Sequence, residues 1–195
     1  MKFSAVILAG GKSSRMGRDK ALLEVHGQPL LARQIRLARE SGADEVFISK
    51  HVDSDYSAFG VHVLRDNFQN AGPLAGIETA LGKSSSLLLL VLAVDMPEMS
   101  AEFLRLLTTH CTEIAGAIPR VNGAIEPLAA FYPKNAAGIA AALLVAETGA
   151  RSAKHFTERC VAAGLATFVD FPVTDAHFFS NCNSPADVAN IGAAT

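Results

Sequence analysis

The sequence predicts an α/β protein of three layers, α/β/α, whose sheet is mostly parallel with one antiparallel excursion. Short apolar runs typical of buried strands alternate along the chain with segments of helical periodicity. The most apolar run, residues 87–94, suits a strand that is buried on both faces. Asn122-Gly123 joins two extended segments and is favoured in hairpin turns, which places the antiparallel excursion at 114–132.

The predicted elements follow one another with short connections. Strands are expected at 3–9, 21–25, 45–49, 61–64, 87–94, 114–121, 125–132 and 166–171. Helices are expected at 29–40, 53–58, 74–81, 100–110, 135–147 and 152–163, with a short C-terminal helix from about residue 184. Pro29 suits the first turn of its helix, Gly42 ends that helix, and Ser100 and Ser184 can cap theirs. Without an internal repeat or linker, residues 1–195 are predicted to form a single domain.

Composition excludes several classes of protein. Half of the residues are apolar and 18% are charged, which indicates a compact globular protein rather than a disordered chain. The net charge is −2 and the basic character is confined to one loop, so neither nucleic acid nor an anionic membrane is an expected partner. The longest apolar run, 87–94, is far shorter than the roughly 20 residues of a membrane span. Three widely spaced cysteines and an N-terminus without a leader pattern predict a cytoplasmic protein with neither disulfides nor a zinc site.

A glycine-rich, basic loop directly follows the first predicted strand. Residues 8–20 read Leu-Ala-Gly-Gly-Lys-Ser-Ser-Arg-Met-Gly-Arg-Asp-Lys and carry four cationic side chains against one carboxylate. Glycines let backbone N–H groups approach a ligand, and the cations would neutralise a polyphosphate, so a nucleoside triphosphate is the simplest ligand. The spacing fits neither the P-loop nor the dinucleotide fingerprint. The alternative is a surface turn with solvated basic residues; we favour the phosphate site because open α/β sheets bind ligands at strand ends.

Asp95 closes the most apolar predicted strand, at the edge of the sheet where the basic loop is also expected. A carboxylate beside bound phosphates commonly holds Mg²⁺, which keeps several waters and takes its other ligands from the substrate. The alternative is an aspartate that starts the turn into the next helix, helped by Pro97. We favour Mg²⁺ binding because a charge at that depth is costly without a partner.

Two further polar segments follow predicted strands. Asp66 precedes the glycine turn 72–76 and can accept hydrogen bonds from a base or a ribose, or merely from neighbouring backbone. Asn181 and Asn183 follow the last strand, where their amides can contact a metal or a second substrate, or where one is simply a turn residue. The six histidines are scattered and are expected to be surface or structural residues.

Four motifs together resemble the molybdenum cofactor guanylyltransferases, the MobA family. They are Leu-Ala-Gly-Gly-x-Ser-x-Arg-Met-Gly-x-Asp-Lys at 8–20, Gly-Pro-Leu-Ala-Gly at 72–76, Asp-Met-Pro at 95–97 and Asn-x-Asn-Ser-Pro-x-Asp at 181–187. The first motif alone is typical of the wider nucleotidyltransferase superfamily, and its combination with 72–76 narrows the resemblance to the guanylyl branch. The implied fold is Rossmann-like and similar to that of nucleotide-diphospho-sugar transferases.

The resemblance also implies roles for individual residues. The residues implied to bind substrate are Leu8, Ala9, Gly10, Gly11, Lys20, Ser49, Asp66, Gly76, Asp95, Asn181 and Asn183. Arg15, Lys20 and Asp95 are the expected catalytic groups, and Asp95 is the expected ligand of Mg²⁺. Lys20 is expected on the phosphates and Asp66 on the nucleoside, with 181–184 on the side of the molybdopterin.

Two positions depart from the family pattern. Ser49-Lys50 stands where some members have an asparagine near the base, and Glu126-Pro127 stands where some have a His-Pro pair. Serine can still donate or accept one hydrogen bond. No catalytic role is assigned to Glu126.

The implied reaction transfers GMP from GTP to the terminal phosphate of molybdenum-bound molybdopterin and releases pyrophosphate, with Mg²⁺ as cofactor. An anionic phosphate nucleophile needs no general base, which agrees with a sequence that lacks an activated nucleophile. Molybdoenzymes or their chaperones are the implied protein partners. Two alternatives stay open: a related enzyme that uses CTP or another phosphate acceptor, of the molybdopterin cytidylyltransferase or cobinamide-phosphate guanylyltransferase type, and a nucleotide-binding module without transfer activity.

Overall fold

The computed structural model describes residues 1–10, 19–50, 55–146, 151–182 and 187. Its strands are β1 Phe3–Leu8, β2 Glu24–Val25, β3 Gln28–Pro29, β4 Glu45–Lys50, β5 His62–Arg65, β6 Leu88–Ala93, β7 Gly116–Val121, β8 Ala124–Ile125, β9 Ala129–Pro133 and β10 Ala166–Phe171. Its α-helices are α1 Leu30–Glu40, α2 Pro73–Lys83, α3 Ala101–Thr108, α4 Ala137–Val145 and α5 Ala153–Ala162. Shorter 3₁₀ helices lie at Lys20–Leu22, Ser57–Phe59, Lys134–Ala136 and Val173–Phe179.

The main sheet has the strand order β5-β4-β1-β6-β9, with β1 at its centre. β1 runs parallel to β4 and β6, and β4 runs parallel to β5, whereas β9 is antiparallel to β6. β1 and β6 are buried along their whole length, as expected of parallel strands that are covered on both faces. The carboxyl ends of β5, β4, β1 and β6 therefore share one edge of the sheet.

Helices cover both faces of this sheet and create two cores. Phe3, Ala5 and Ile7 of β1 point to one face and pack in a cluster with α1 and α3. Val6 and Leu8 point to the other face and pack in a cluster with α2, α4 and α5. Full burial of a large aliphatic side chain stabilises the fold by about 1.5–3 kcal/mol, so these two clusters hold the three layers together.

The predicted hairpin at 114–132 forms only around its turn. Asn122 and Gly123 have φ values of 49° and 78°, as a two-residue hairpin turn requires, and β7 pairs with β8 in antiparallel fashion. The single second strand expected at 125–132 is wrong, because Pro127 has no N–H to donate and the chain leaves β7 after Glu126. The chain then continues as β9 in the main sheet, and β10 pairs in parallel with β7 to complete a second sheet, β10-β7-β8.

Other boundaries differ locally from the prediction. The extended segment expected at 21–25 begins as the 3₁₀ helix Lys20–Leu22, and Pro29 ends β3 instead of lying within the first turn of α1. Of the helix expected at 53–58, the described part forms only the 3₁₀ helix Ser57–Phe59. The expected start of a C-terminal helix at Ser184 lies outside the described residues.

None of the helices in the described ranges combines the length and the apolar content needed to cross a bilayer. All three cysteines of the chain are buried and free, as predicted. Burial raises the pKa of the Cys111 and Cys160 thiols to about 12, so both remain protonated at neutral pH. These two side chains therefore act as small apolar residues of the core.

Candidate active site

Lys20 and Asp95 form an ion pair at the carboxyl edge of the main sheet. Lys20 Nζ donates to Asp95 Oδ2 at 2.6 Å, and each side chain is about a fifth exposed, at 22% and 21%. Asp95 follows β6, and Lys20 begins the 3₁₀ helix that comes after the basic loop. A cation and a carboxylate that are both open to a ligand therefore meet next to the central strand.

Lys20 is positioned by its neighbour Asp19. The Asp19 carboxylate caps the 3₁₀ helix by accepting from the Ala21 N–H at 3.0 Å, and its other oxygen accepts from the Tyr56 hydroxyl at 2.7 Å. Tyr56 is only 1% exposed, so its ring fixes this contact from within the core. The sequence predicted Asp19 only as a charged member of the 8–20 motif, and not as the cap of this 3₁₀ helix.

The backbone from Asp95 to Pro97 is held by two separate parts of the chain, helix α1 and the segment at Cys182. The Cys182 N–H donates to the Asp95 carbonyl at 2.8 Å, Gln34 Nε2 to the Met96 carbonyl at 2.7 Å, and Arg33 Nη2 to the Pro97 carbonyl at 2.9 Å. Three consecutive carbonyls are thus satisfied, which restricts the direction of the Asp95 side chain. The sequence signal for this support was a glutamine within the apolar stripe of α1, where Gln34 is buried among leucines.

A cavity of about 310 Å³ opens at the same edge, over β1, β4 and the first turn of α2. Its lining residues are Leu8, Gly10, Ser49, Asp66, Phe68, Asn70, Ala71, Gly72, Pro73 and Gly76. The lining combines apolar side chains with a few polar groups, as is usual for small-molecule sites. The amino end of α2 carries partial positive charge and faces this space.

Ser49 and Asp66 form the polar part of the cavity. The buried Ser49 hydroxyl donates to Asp66 Oδ1 at 2.6 Å, which fixes the orientation of the carboxylate. Gly76 makes this arrangement possible, because a Cβ at that position would overlap the Ser49 hydroxyl and approach Leu8 Cδ2 to 2.8 Å. The sequence predicted these three residues at the site but not that they contact one another.

Most of the predicted site residues in the described ranges come together at this edge. Those lining the cavity or forming the ion pair are Leu8, Gly10, Lys20, Ser49, Asp66, Gly76 and Asp95. Ala9 lies between Leu8 and Gly10, and its N–H donates to the Ser49 carbonyl at 3.0 Å. Asn181 is exposed and adjoins Cys182, which contacts the Asp95 backbone. Gly11, Arg15 and Asn183 lie outside the described residues.

The Asp95 carboxylate suits a Mg²⁺ ion that takes its other ligands from water and substrate. Among the described residues no cluster of three or more acidic, histidine or cysteine side chains forms a complete metal cage. Mg²⁺ in phosphate-transfer sites is held by one or two carboxylates together with waters and substrate phosphates. A single partly exposed carboxylate beside a cavity therefore fits such an ion.

A second cavity, of about 540 Å³, lies at the opposite edge of the sheet. It is lined by residues that precede β1, β4 and β6, among them Lys2, Asp44 and Leu87. The amino ends of parallel strands lie at the other end of the sheet from Lys20 and Asp95. This cavity is therefore separate from the candidate active site, despite its larger volume.

Comparison with known proteins places this geometry in a family. The MobA-like NTP transferase domain matches residues 5–182. The chain is 38% identical over 187 residues to a probable molybdenum cofactor guanylyltransferase of Opitutus terrae, covering 94% of this chain and 92% of the relative. The chain belongs to the molybdenum cofactor guanylyltransferase family. A second guanylyltransferase of this family, from Synechococcus elongatus, is 33% identical over 96% of both chains.

Solved structures show the same fold as this guanylyltransferase-family chain. The molybdopterin-guanine dinucleotide biosynthesis protein A of Archaeoglobus fulgidus matches with a TM-score of 0.76 and 23% identity, over 99% of this chain and 97% of that one. The 2-C-methyl-D-erythritol 4-phosphate cytidylyltransferase of Thermus thermophilus matches with a TM-score of 0.70 and 19% identity, over 99% and 98%. The predicted fold, similar to that of nucleotide-diphospho-sugar transferases, is therefore confirmed.

Proposed function

We propose that the protein transfers GMP from GTP to the terminal phosphate of molybdenum-bound molybdopterin and releases pyrophosphate. The relatives named as molybdenum cofactor guanylyltransferases support this reaction. The observation that carries the proposal is the spatial order of the cavity and the ion pair along one edge of the sheet. The cavity with the Ser49–Asp66 pair and the Lys20–Asp95 pair share this edge, where the Val94 N–H, next to Asp95, donates to the carbonyl of the cavity residue Leu8 at 3.3 Å. The proposed nucleoside site therefore adjoins the proposed phosphate site.

The nucleoside of GTP occupies the 310 Å³ cavity in this proposal. Asp66 accepts from N–H groups of the guanine or from a ribose hydroxyl, and Ser49 keeps the carboxylate aligned by its hydrogen bond at 2.6 Å. Leu8, Ala9 and Gly10 offer apolar contact and close approach of the backbone. Ser49, at the position where some relatives have asparagine, therefore acts on the nucleoside through Asp66.

The phosphates lie towards Lys20, whose ammonium neutralises their negative charge. Lys20 is held by the Asp19 cap on the 3₁₀ helix, so its position is set before the nucleotide binds. We include Arg15 and Gly11 of the basic loop in this phosphate site because of the motif at 8–20. A positioned cation accelerates phosphoryl transfer by stabilising charge that develops on the leaving pyrophosphate.

Asp95 holds Mg²⁺ together with the phosphates in this proposal, and the ion supplies further neutralisation of their charge. The ion pair with Lys20 keeps the Asp95 carboxylate aligned at the site. The attacking group is a phosphate oxygen that is already anionic, so the chain needs no general base. Catalysis then consists of holding the two substrates in line and stabilising charge.

The acceptor is proposed to bind beside Asn181 and Asn183, which adjoin the Cys182 contact to Asp95. We further propose a cytoplasmic location, with molybdoenzymes or their chaperones receiving the product. Neither nucleic acid nor a membrane is a proposed partner, in keeping with the net charge of −2.

Radiolabelled GTP and CTP, each supplied with molybdenum-loaded molybdopterin and Mg²⁺, test the proposal through release of pyrophosphate. We expect GTP to react at least about 100 times faster than CTP, a difference of about 2.7 kcal/mol in transition-state binding. Faster turnover of CTP would establish the cytidylyl alternative. Normal nucleotide binding without pyrophosphate release would establish a binding module.

Omission of Mg²⁺ and the variant Lys20→Ala complete this test. Chelation of the metal with EDTA should abolish transfer, and added Mg²⁺ should restore it. Lys20→Ala should weaken GTP binding by calorimetry, because it removes the cation that contacts Asp95 and that we propose to neutralise the phosphates. Unchanged affinity would remove Lys20 from the phosphate site.

A further inference from the structure

Asp95 divides the carboxyl edge of the main sheet into two parts. The nucleoside cavity lies on the side of β1, β4 and β5, with Ser49 and Asp66 in its wall. On the other side of β6 lies β9, which is antiparallel and therefore begins at this same edge. Transfer between two substrates requires the acceptor to approach the reacting phosphate from a side that the nucleoside does not occupy. Among the described residues, the start of β9 is therefore one neighbour of Asp95 on the side left open to the acceptor.

Glu126 lies in the segment that leads into β9. Two residues later, the Leu128 carbonyl accepts from the Ala93 N–H at 2.8 Å, which ties the segment to the end of β6. The Glu126 N–H donates to the Pro119 carbonyl of β7 at 2.9 Å, so the segment also touches the second sheet. These two bonds hold Glu126 at the carboxyl edge, close in the fold to the end of β6 that carries Asp95.

The Glu126 side chain is half-buried, and in the described part of the chain its carboxylate has neither a hydrogen bond nor an ion pair. Burial raises the pKa of this carboxyl group because it removes water from the charged form. A half-buried carboxylate without a partner is unfavourable, and donors supplied by a ligand would offset that cost. Donor groups of a ligand at this position would therefore be favourable partners for the Glu126 carboxylate.

We propose that Glu126 binds the pterin ring of the acceptor substrate. The pterin of molybdopterin carries an amino group beside a ring N–H, and two adjacent donors match the two oxygens of a carboxylate. This inference rests on the proposed function, because it assumes a molybdopterin acceptor. It assigns a specificity role to a position at which some relatives carry histidine.

Asn181 adjoins a second contact to the strand end that carries Asp95. The neighbouring Cys182 N–H donates to the Asp95 carbonyl at 2.8 Å, which brings this segment to the strand end from outside the main sheet. Asn181 itself is exposed and can contact the acceptor chain that links the pterin to its phosphate. Glu126 then determines which ring is accepted, and the 181–182 segment adjoins the reacting end.

The variant Glu126→Gln tests the assignment, since it preserves shape but replaces one acceptor oxygen with a donor. The KM for molybdenum-loaded molybdopterin should rise about 10- to 100-fold, as expected for loss of a charged bidentate hydrogen bond. The KM for GTP and the calorimetric affinity for GTP should not change. Glu158→Gln, on the exposed side of α5, is the matched control and should behave as the wild type.

Direct binding separates this inference from the proposed function. Metal-free molybdopterin is titrated into wild type and Glu126→Gln under anaerobic conditions, and calorimetry reports binding without any need for transfer. We expect weaker binding to the variant by the same factor. Equal binding and an unchanged KM for the acceptor would overturn the role of Glu126. Wild-type protein that binds molybdopterin yet releases no pyrophosphate from GTP would instead contradict the proposed function.

Thermal unfolding excludes damage to the fold as the cause. Glu126→Gln should unfold at the same temperature as wild type or higher, because it replaces a desolvated charge. Glu126→Asp keeps the charge but shortens the side chain, and its KM for the acceptor should lie between those of wild type and Glu126→Gln. A variant that is destabilised and equally impaired towards both substrates would show a structural role and overturn the proposal.

Discussion

At the scale of single residues, a few atoms decide whether the candidate site can work. Lys20 and Asp95 contact each other at 2.6 Å, and Ser49 contacts Asp66 at the same distance. Each pair brings together residues from different segments of the chain, so each depends on accurate placement of the backbone. Charged hydrogen bonds of this length are about twice as strong as neutral ones. Because all four residues are proposed to position or contact the substrate, substitutions at these positions should change function as well as stability.

Asp95→Asn should lower the rate of GMP transfer at least about 1,000-fold, since it removes the charge that we propose to hold Mg²⁺. The volume of the side chain is unchanged, so circular dichroism and the melting temperature should stay close to those of wild type. Asp170→Asn is the matched control, because Asp170 pairs with Arg120 at 2.6 Å in the second sheet. Near-normal turnover of Asp95→Asn would refute the assignment of Asp95.

Gly76→Ala should raise the KM for GTP at least about tenfold and destabilise the protein by about 1–3 kcal/mol. The added Cβ overlaps the Ser49 hydroxyl, so Ser49 and Asp66 must both shift. Gly82→Ala lies in the same helix and meets no atom within 4 Å, which makes it the control. That variant should gain about 0.5–1 kcal/mol in stability and keep its KM. Equal kinetics for the two variants would contradict the proposed nucleoside site.

At the scale of elements, α1 connects the core to the reaction centre. Its apolar face packs beneath β1, and its polar residues Arg33 and Gln34 reach the carbonyls of Pro97 and Met96. Burial lowers the pKa of Arg33, with a smaller contribution from Arg36, but an arginine keeps its charge at neutral pH. The helix thus supports the loop after β6 without contacting a ligand itself. It positions Asp95 through the backbone.

Gln34→Leu should lower the kcat for transfer about tenfold and the free energy of unfolding by about 1–3 kcal/mol, because the Met96 carbonyl loses its donor. Thr157→Val, which removes a buried hydroxyl on the opposite face of the sheet, should cost similar stability without lowering kcat. Kinetics and urea unfolding of both variants distinguish a positioning role from general destabilisation. If the two variants lose kcat equally, α1 has no special connection to Asp95.

At the scale of the whole molecule, the main sheet and the helical layers on its two faces bring distant segments to one edge. The nucleoside cavity, the ion pair and the segment before β9 come from parts of the chain that are far apart in sequence. A ligand that contacts all of them links these parts, so its binding should stabilise the folded state as a unit. Nucleotide binding can therefore be read from global unfolding.

GTP with Mg²⁺, at 100 times its Kd, should stabilise the fold by about 2.7 kcal/mol. For a chain of this size, that corresponds to a rise of about 5–10 °C in melting temperature. CTP at the same concentration should give a clearly smaller rise, and Lys20→Ala should need more GTP to reach the same temperature. Differential scanning fluorimetry measures all three, and an equal response to GTP and CTP would contradict guanine selectivity.

Much of the site could be predicted because its residues lie at the ends of strands or within short motifs. Asp66 and Asp95 follow apolar runs, and the 8–20 motif marks the basic loop. Gln34 and Tyr56 could not be assigned in this way. Each donates a hydrogen bond to the neighbour of a site residue, Gln34 to Met96 across 62 positions and Tyr56 to Asp19 across 37. Periodicity reports which face of an element is buried, but not which distant group it contacts.

The sequence by itself determined the alternation of strands and helices, the parallel sheet and the family. These follow from local properties, since hydrophobic period and motif spacing are written along the chain. Only the tertiary structure decided that Lys20 contacts Asp95 across 75 residues and that Gly76 leaves space for Ser49. It also decided that the chain leaves the β7–β8 hairpin and continues as β9 beside β6. Such contacts depend on the order in which strands assemble and on the space between packed elements, which no single segment encodes.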